Sequence, residues 1–131
     1  MRITVLGGSG FIGSHVADEL SKRGHKVNIF DIKKSKYKKK NQKMYIGSIL
    51  DKKKLSLAIK GCDFVYHFAA LSNMNVARTN PFMSAEINIL GTINALLVSK
   101  LHMVKRFIHA SSIYANTEEG GFYSSSKKAA E

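Results

Sequence analysis

Residues 3–13, Ile-Thr-Val-Leu-Gly-Gly-Ser-Gly-Phe-Ile-Gly, decide the fold of this chain. The first four residues of this stretch predict a short buried strand, and the glycines that follow interrupt it. Beyond the glycines, Ile12, Val16 and Leu20 recur at four-residue spacing, which predicts an amphipathic helix. Gly24 ends this helix by supplying a left-handed backbone position. The stretch is therefore expected to form a strand, a tight turn and a helix in direct succession.

The glycines of this turn, Gly7, Gly10 and Gly13, are spaced as in a phosphate-binding loop. Glycine is needed where the chain turns sharply, where the backbone must approach a pyrophosphate, and where helix and strand pack closely. The helix start adds unpaired N–H groups and a positive dipole. Asp31 ends the second predicted strand. A carboxylate at that place accepts hydrogen bonds from both ribose hydroxyls of NAD and repels the additional phosphate of NADP. A turn-capping role for Asp31, and binding of a 2′-phosphate by the lysines at 33–34, are the alternatives.

Strands and helices alternate along the rest of the chain. We predict four more strands, at 27–30, 44–46, 63–68 and 104–110, and further helices at 55–59, 82–101 and 122–131. The long helix is expected to pack on the sheet through Ile87, Leu90, Leu96 and Leu97. Alternation with short connections indicates an α/β domain that has a parallel sheet, right-handed crossovers and helices on both faces.

The composition places the chain among folded globular proteins. Its 131 residues are 44% hydrophobic, a composition that excludes collagen-like and disordered chains. It has one cysteine, Cys62, which excludes a fold framed by disulfides. No consecutive apolar run reaches the roughly 18 residues of a membrane span, and no signal peptide is expected before the first strand. A lone cysteine fits a reducing compartment. We therefore expect a soluble, cytoplasmic protein with no membrane partner.

A strong positive charge is the unusual feature of the composition. Lys and Arg number 21 against nine Asp and Glu, a formal net charge of +12, and ten of the basic residues fall between Lys33 and Lys54. Such a patch could neutralise the phosphates of a nucleic acid. Because no helix-turn-helix pattern or interleaved aromatic residues accompany it, we interpret the run as solvated surface and do not expect a nucleic-acid partner.

A second group of reactive side chains lies near the end of the chain. Ser112 follows the fifth predicted strand, and Tyr123 and Lys127 lie in the last predicted helix. Residues four apart share one helix face, with roughly 6 Å between their β-carbons. An ammonium at that distance favours the phenolate, which can act as a general base, while Ser112 can donate to a substrate oxygen. Taken alone this pair is a weak signal, because such pairs also occur by chance on exposed helices.

Together these patterns resemble the extended short-chain dehydrogenase/reductase family, the NAD-dependent epimerases and dehydratases of nucleotide sugars. The resemblance covers the whole chain in order. It runs through GGSGFIG (7–13), HFAA (67–70), NPFMSAEINILGT (80–92), FIHASS (107–112) and YSSSKKAAE (123–131). It implies a Rossmann-type doubly wound parallel sheet with the strand order 3-2-1-4-5.

The same resemblance implies which residues carry the chemistry. The catalytic residues would be Ser112, Tyr123 and Lys127, with Tyr123 as the base and Lys127 as the partner that favours its phenolate. The cofactor would be NAD, with NADP less favoured, and its contacts besides Tyr123 and Lys127 would be Gly7, Gly10, Phe11, Ile12, Gly13, Asp31, Ile32, Ser48, Ile49, Phe68, Ala69, Ala70 and Asn88. No metal site is expected, and His67 is expected to be a packed core residue.

Three features depart from the family pattern. Ser48-Ile49 stands where an acidic residue usually precedes the aliphatic one, so the adenine contact is expected to be weaker or shifted. Only ten residues separate Ser112 from Tyr123, where many sugar epimerases have a longer loop. Family members are more than twice this length, with a C-terminal substrate domain after the tyrosine–lysine helix. We therefore expect residues 1–131 to be one NAD(P)-binding domain that lacks the substrate domain, binds NAD poorly and is inactive alone.

For the complete enzyme, the resemblance implies oxidation of a sugar hydroxyl and later return of the hydride. Epimerisation, elimination or reduction would take place between the two transfers. The expected substrate is a nucleotide sugar, and the complete enzyme is expected to be a homodimer. Two alternatives stay open: an NADP-dependent reductase of the same family, and a non-catalytic dinucleotide-binding module.

Overall fold

Five strands and six α-helices make up the computed structural model, which describes residues 1–117 and 119–131. The strands are β1 (Arg2–Leu6), β2 (Lys26–Asp31), β3 (Gln42–Ile46), β4 (Phe64–His67) and β5 (Arg106–His109). The α-helices are α1 (Phe11–Lys22), α2 (Lys52–Ile59), α3 (Met74–Thr79), α4 (Pro81–Ala85), α5 (Gly91–Leu101) and α6 (Gly121–Ala129). A π-helix, Glu86–Leu90, joins α4 to α5, and a 3₁₀-helix, Ile113–Asn116, follows β5.

The strands form one parallel sheet in the order β3-β2-β1-β4-β5. Its central strand places Leu6 opposite Phe30 of β2 on one side and opposite His67 of β4 on the other. The predicted Rossmann-type doubly wound sheet and its strand order are confirmed. Because the strand order reverses between β1 and β4, the carboxyl ends of these strands flank a crevice, which is where open α/β sheets bind their ligands.

Two apolar clusters fill the space between the sheet and its helices. Val5 and Ile29 pack with Ala17 of α1 on one face of the sheet. Leu6 and Phe30 pack on the opposite face against residues of α2 and α5. Since successive strand residues point to opposite faces, the continuous apolar runs of β1 and β2 bury side chains on both sides, as parallel strands do.

The first helix packs on the sheet differently from the prediction. Ile12, which was expected to face inward, is 60% exposed. The buried residues of α1 are instead the small ones, Gly13, Ser14, Ala17 and Ser21. Small side chains let the helix backbone approach the glycine turn closely, and this leaves Ile12 on the outer side of the first helical turn.

The predicted inward face of the long helix is also wrong in part. Leu90, Leu96 and Leu97 are 53%, 44% and 51% exposed, and only Ile87 packs against the core. The buried positions are Ser84, Asn88, Gly91, Thr92, Ala95, Val98 and Ser99. One turn of π-helix inserts a residue here, closed by the bond from Gly91 N–H to Glu86 O, so the inward face is shifted from the one that a regular helix would have.

This helical run, Pro81–Leu101, is long and apolar enough to cross a membrane by length and composition. It has 21 residues and a mean hydropathy of 1.3 over its most apolar window, of which 39% is buried inside the domain. Its inner side bonds to the rest of the domain through Asn88 and Thr92. We therefore describe it as a packed helix of this fold.

Two short elements lie outside the predicted set, and both begin at a side-chain cap. The Asn73 side-chain oxygen accepts bonds from the N–H groups of Asn75 and Val76 at the start of α3. The Ser112 hydroxyl accepts a bond from Tyr114 N–H at the start of the 3₁₀-helix. Asn and Ser are favoured at such positions because they pair otherwise free N–H groups. Neither segment has the apolar periodicity that would have indicated a helix.

Candidate active site

The glycine turn lies at the carboxyl end of β1, packed against the chain that leaves β4. Gly7 has a φ of +80°, and its N–H donates to Phe30 O at 2.8 Å. A β-carbon on Gly7 would lie 2.5 Å from the backbone nitrogen of Ala69 and 2.8 Å from the carbonyl carbon of Phe68. The structure thus brings together two predicted cofactor-binding segments, the glycine turn and residues 68–70, and only glycine fits at their contact.

The N-terminus of α1 is open to solvent beside this turn. Gly10 caps the helix without a side-chain hydrogen bond, and the next residues, Phe11 and Ile12, are 81% and 60% exposed. A β-carbon on Gly10 would meet only Gly7 O, at 3.3 Å. Helix N-termini carry free N–H groups and a positive dipole, which suit an anion such as a pyrophosphate. These residues therefore fit the phosphates of a dinucleotide.

Asp31 is held beside the glycine turn at the end of β2. One carboxylate oxygen accepts a bond from Ser9 N–H at 3.0 Å, and the other accepts one from Lys33 N–H at 3.2 Å. Each oxygen retains a lone pair, because a carboxylate accepts about four hydrogen bonds in all. The half-buried carboxylate can therefore accept hydrogen bonds from two ribose hydroxyls, and this role of Asp31 stays a prediction. Its neighbour Ile32 is 66% exposed on the same edge.

The turn after β3 lies next to Asp31, through a bond from Gly47 N–H to Asp31 O at 2.9 Å. Ser48 is half-buried there, and its hydroxyl accepts from Leu50 N–H. Ile49 is 5% exposed and packs in the core, where a β-carbon on Gly91 would lie 2.4 Å from its Cδ1. The side chain of Ile49 therefore packs inward, and a predicted adenine contact at this position would come from its backbone.

Asn88 is 2% exposed and connects three parts of the chain. Its side-chain oxygen accepts from Leu71 N–H at 2.7 Å, and its amide nitrogen donates to Leu71 O at 3.2 Å and to Ser126 Oγ at 2.9 Å. The side chain thus holds the chain after β4 against α6. A contact of Asn88 with the cofactor stays a prediction.

Lys127 is buried at the carboxyl end of β5. The side chain is 4% exposed, and its ammonium donates to Ala110 O at 2.6 Å and lies 3.4 Å from Nε2 of His109. Burial lowers the pKa of Lys127, and the charge of Glu131 partly opposes this effect. The lysine that was predicted to serve catalysis is therefore fixed to the end of β5, just before Ser112 in the chain.

A ring contact and a hydrogen bond connect the segment just after Ser112 with α6, the helix that carries Tyr123. The ring of Tyr123 packs edge-on against that of Tyr114, with 6.2 Å between ring centroids. Tyr114 is two residues beyond Ser112, and its carbonyl oxygen accepts a bond of 2.7 Å from Ser124 of α6. The structure thus joins the segments that carry the three predicted catalytic residues at the same edge as the glycine turn. Their roles in catalysis stay predictions.

Three residues of this region were not predicted from sequence: His109, Ser126 and Tyr114. No local pattern marks them, because each matters through a partner far away in the chain. His67 is a packed core residue as predicted: it is 1% exposed, and burial lowers its pKa to about 3. Among residues 1–117 and 119–131 there is no group of three His, Cys, Asp or Glu side chains that could hold a metal ion.

The fold and this edge define a dinucleotide-binding domain of the Rossmann type. A family model described as the NAD dependent epimerase/dehydratase family matches residues 3–130. The chain therefore belongs to that family, and the family's cofactor is NAD, as predicted.

Individual relatives have diverse activities. A human sterol-4-alpha-carboxylate 3-dehydrogenase (decarboxylating) is 32% identical over 111 residues, which are 85% of this chain and 29% of the relative. A UDP-N-acetyl-alpha-D-glucosaminuronate decarboxylase of Bacillus cytotoxicus is 38% identical over 117 residues, 85% of this chain and 36% of the relative. The solved structure of Thermus thermophilus UDP-glucose 4-epimerase in complex with NAD superposes with a TM-score of 0.88 at 29% identity, covering 99% of this chain and 48% of that one.

The chain is thus much shorter than the proteins it resembles. It spans about a third of the length of these two curated relatives. It spans a little under half of the solved epimerase structure.

Proposed function

We propose that this chain is the cofactor-binding and catalytic part of an NAD-dependent enzyme that acts on a nucleotide sugar by transient hydride transfer. The observation that carries the proposal is the convergence of the glycine turn, Asp31 and the Lys127 helix at one edge of one sheet. Membership of the epimerase/dehydratase family supports it. Nucleotide-sugar enzymes among the relatives support the substrate class.

Cofactor binding would use the backbone more than the side chains. The open N-terminus of α1 would bind the pyrophosphate through N–H groups at Phe11 and Ile12. Asp31 would accept hydrogen bonds from the hydroxyls of the adenosine ribose, and its negative charge would disfavour the 2′-phosphate of NADP at that place. When bound, NAD accepts a hydride from the sugar carbon and later returns it.

The proton transfer would fall to Tyr123. Its phenolate would take the proton of the sugar hydroxyl as hydride leaves the same carbon, and would give the proton back on the return. The Lys127 ammonium, held at the end of β5, would favour the phenolate electrostatically. Ser112 would donate to the sugar oxygen and hold it near Tyr123.

The first test of this proposal is calorimetric titration of the chain with NAD and with NADP at moderate salt. We expect NAD to bind more tightly than NADP, because Asp31 repels the additional phosphate. The variant Asp31→Ala is expected to weaken NAD binding by about tenfold to a hundredfold, the effect of losing hydrogen bonds to a charged group.

A matched control is Asp63→Ala, which removes the same charge at the opposite edge of the sheet, where Asp63 bonds Lys105 and the N–H of Arg2. This control is expected to leave NAD affinity within about twofold of the wild-type value, because exposed charges at that distance are screened. Equal loss in both variants would contradict the role of Asp31. A preference for NADP would favour the reductase alternative.

The reaction itself is tested on the complete enzyme, substrate domain included, by absorbance of NADH on mixing the NAD-loaded protein with UDP-glucose and other nucleotide sugars. Tyr123→Phe is expected to abolish NADH formation while NAD affinity changes by no more than about threefold, since a single hydroxyl is lost. Tight NAD binding by the complete enzyme without NADH formation for any nucleotide sugar would favour the non-catalytic module instead.

We also propose that the whole protein is a cytoplasmic homodimer. Leu90, Ile93, Leu97 and Leu101 share one exposed side of the helical run, with exposures of 53%, 45%, 51% and 72%. Contiguous apolar surface of this kind is typical of interfaces. Sedimentation velocity is expected to give a dimer that Leu97→Glu converts to monomer; an unchanged sedimentation coefficient would contradict this interface.

A further inference from the structure

Lys127 is held by two neutral acceptors at the end of one strand. The first is the carbonyl oxygen of Ala110, at 2.6 Å, and the second is Nε2 of His109, at 3.4 Å. An ammonium has three protons and no lone pair, so the imidazole nitrogen must be the acceptor in this contact. The ring of His109 is therefore neutral and carries its proton on Nδ1.

The surroundings of His109 disfavour a charge on its ring. Three titratable groups face it: His67 from β4, with 5.4 Å between ring centroids, Lys127 from α6, and Glu131 just beyond α6. Burial and the Lys127 charge lower the pKa of His109, and only the Glu131 charge acts in the opposite direction. A protonated His109 would place two cations 3.4 Å apart and end the contact.

The neighbouring His67 is also neutral, in a defined tautomer. Thr92 donates its hydroxyl proton to Asn88 O at 2.7 Å, so its oxygen accepts from His67 Nε2 at 3.0 Å. This leaves Nδ1 of His67 as a bare acceptor, while Nδ1 of His109 carries a proton. Both Nδ1 atoms are buried with no partner among the residues that the structure describes. The buried ring of His67 and the half-buried ring of His109 are thus both neutral, and they lie next to each other beside Lys127.

We propose that His109 is a positioning residue for Lys127: its neutral imidazole fixes the direction of the ammonium at the cofactor edge of the sheet. The inference rests on the proposed role of Lys127 in cofactor binding and catalysis. His109 touches neither cofactor nor substrate in this proposal, and acts only through the lysine. Because a neutral ring is required, NAD affinity is constant near neutral pH and falls in acid as His109 gains a proton.

The test compares His109→Leu, which removes the acceptor, with His109→Gln, which keeps one that does not titrate. The first readout is the ¹³Cε NMR signal of Lys127, assigned as the signal missing from Lys127→Arg. It is followed from pH 5 to 9 without cofactor. The second readout is the Kd for NAD across the acid range. We expect His109→Leu to shift the Lys127 signal and raise the Kd about tenfold, the effect of one charge-assisted hydrogen bond.

His109→Gln is expected to keep the Kd within about threefold of the wild-type value, since the acceptor is retained, and to lose the acid decline. A Lys127 signal and a Kd that are unchanged in His109→Leu would overturn the proposal, as would an acid decline that persists in His109→Gln. If His109→Leu does not fold, the comparison of wild type with His109→Gln still decides the question. If neither this chain nor the complete enzyme binds NAD, the proposed function fails, and the cofactor-free Lys127 signal alone then decides whether His109 positions the lysine.

Discussion

The edge of the sheet at the carboxyl ends of the strands, where we propose that the cofactor binds, has two sides that are held together differently. On the β1–β2 side, Gly7 and Asp31 are held by backbone contacts within the first turn and its neighbouring strand. On the β4–β5 side, Asn88, Ser126 and Lys127 are held by buried polar side chains that join segments 17 to 38 residues apart. The first side depends on backbone geometry, including the close approach of Gly7 to Ala69, and the second depends on hydrogen bonds of buried side chains.

This difference indicates where each side is vulnerable. A backbone turn tolerates changes in side chains but not an added β-carbon at its closest contact. A buried polar network tolerates no change in its side chains, because each polar group left without a hydrogen-bond partner costs its desolvation free energy. Four substitutions or conditions test this contrast, in order of decreasing effect.

Gly7→Ala is expected to have the largest effect on stability. The new β-carbon would lie 2.5 Å from the backbone nitrogen of Ala69, at a residue whose φ is +80°. Left-handed strain and overpacking together are expected to lower the free energy of unfolding by about 3–5 kcal/mol. Gly24→Ala is the matched control, since its φ is +81° with nothing within 4 Å, and should cost only about 1–2 kcal/mol. Urea denaturation measures both; equal losses would show that strain alone matters at Gly7.

Asn88→Ala tests the second side. It removes three hydrogen bonds and leaves both backbone groups of the half-buried Leu71 without their partner. We expect a loss of about 2–4 kcal/mol in the free energy of unfolding. The control Asn94→Ala, also in the long helical run, removes only longer bonds of 3.3 and 3.5 Å and should cost less than about 1 kcal/mol. A loss in Asn88→Ala no larger than in the control would contradict the network.

The pH dependence of stability should report the buried His67. Burial lowers the pKa of His67 in the folded chain to about 3, from the usual 6.5, so between these values the unfolded chain binds a proton that the folded chain does not. Stability is therefore lost as pH falls below about 6.5, by about 1.4 kcal/mol per pH unit from this residue.

Urea denaturation between pH 4.5 and 7 measures this slope in wild type and in His67→Asn. The variant is expected to be less stable near neutrality but to have the shallower slope. Thr92→Val, which removes the hydroxyl partner of His67 and keeps the ring, should lower stability by about 1–2 kcal/mol and retain the slope. An unchanged slope in His67→Asn would show that other groups cause the acid effect.

The smallest effects are expected in the lysine-rich segment at 33–43. Lys39 lies 3.6 Å from Asp18 with its side chain 59% exposed. Lys39→Gln should change the free energy of unfolding by less than about 0.5 kcal/mol, as for other exposed ion pairs. The chain should be retained on heparin at low salt and released as the salt concentration rises, because exposed lysines attract a polyanion without specificity; binding of a nucleic acid at physiological salt would contradict the interpretation of this segment as solvated surface.

The sequence predicted the fold well because its signals are local. The strand, turn and helix of residues 3–24 can be recognised from apolar spacing and glycines alone, and the strand order followed from resemblance over the whole chain. The inward faces of Ile12 and Leu97 were predicted wrongly. Apolar periodicity predicts the inward face of a regular helix. Neither the close approach of α1 to the glycine turn nor the π-helix before Gly91 changes the spacing of apolar residues in the sequence, so neither could be predicted from it.

The sequence by itself determined the sheet, the glycine turn and the position of Asp31, because each depends on residues close together in the chain or on regular strand–helix alternation. Only the tertiary structure decided that Asn88 bonds Ser126, that Ile49 packs inward, and that His109 faces Lys127. These contacts join residues far apart in sequence, and their energies come from burial and from pairing polar groups away from water. No local pattern of residue types encodes them, since the partner of each group is chosen by the packing of whole elements.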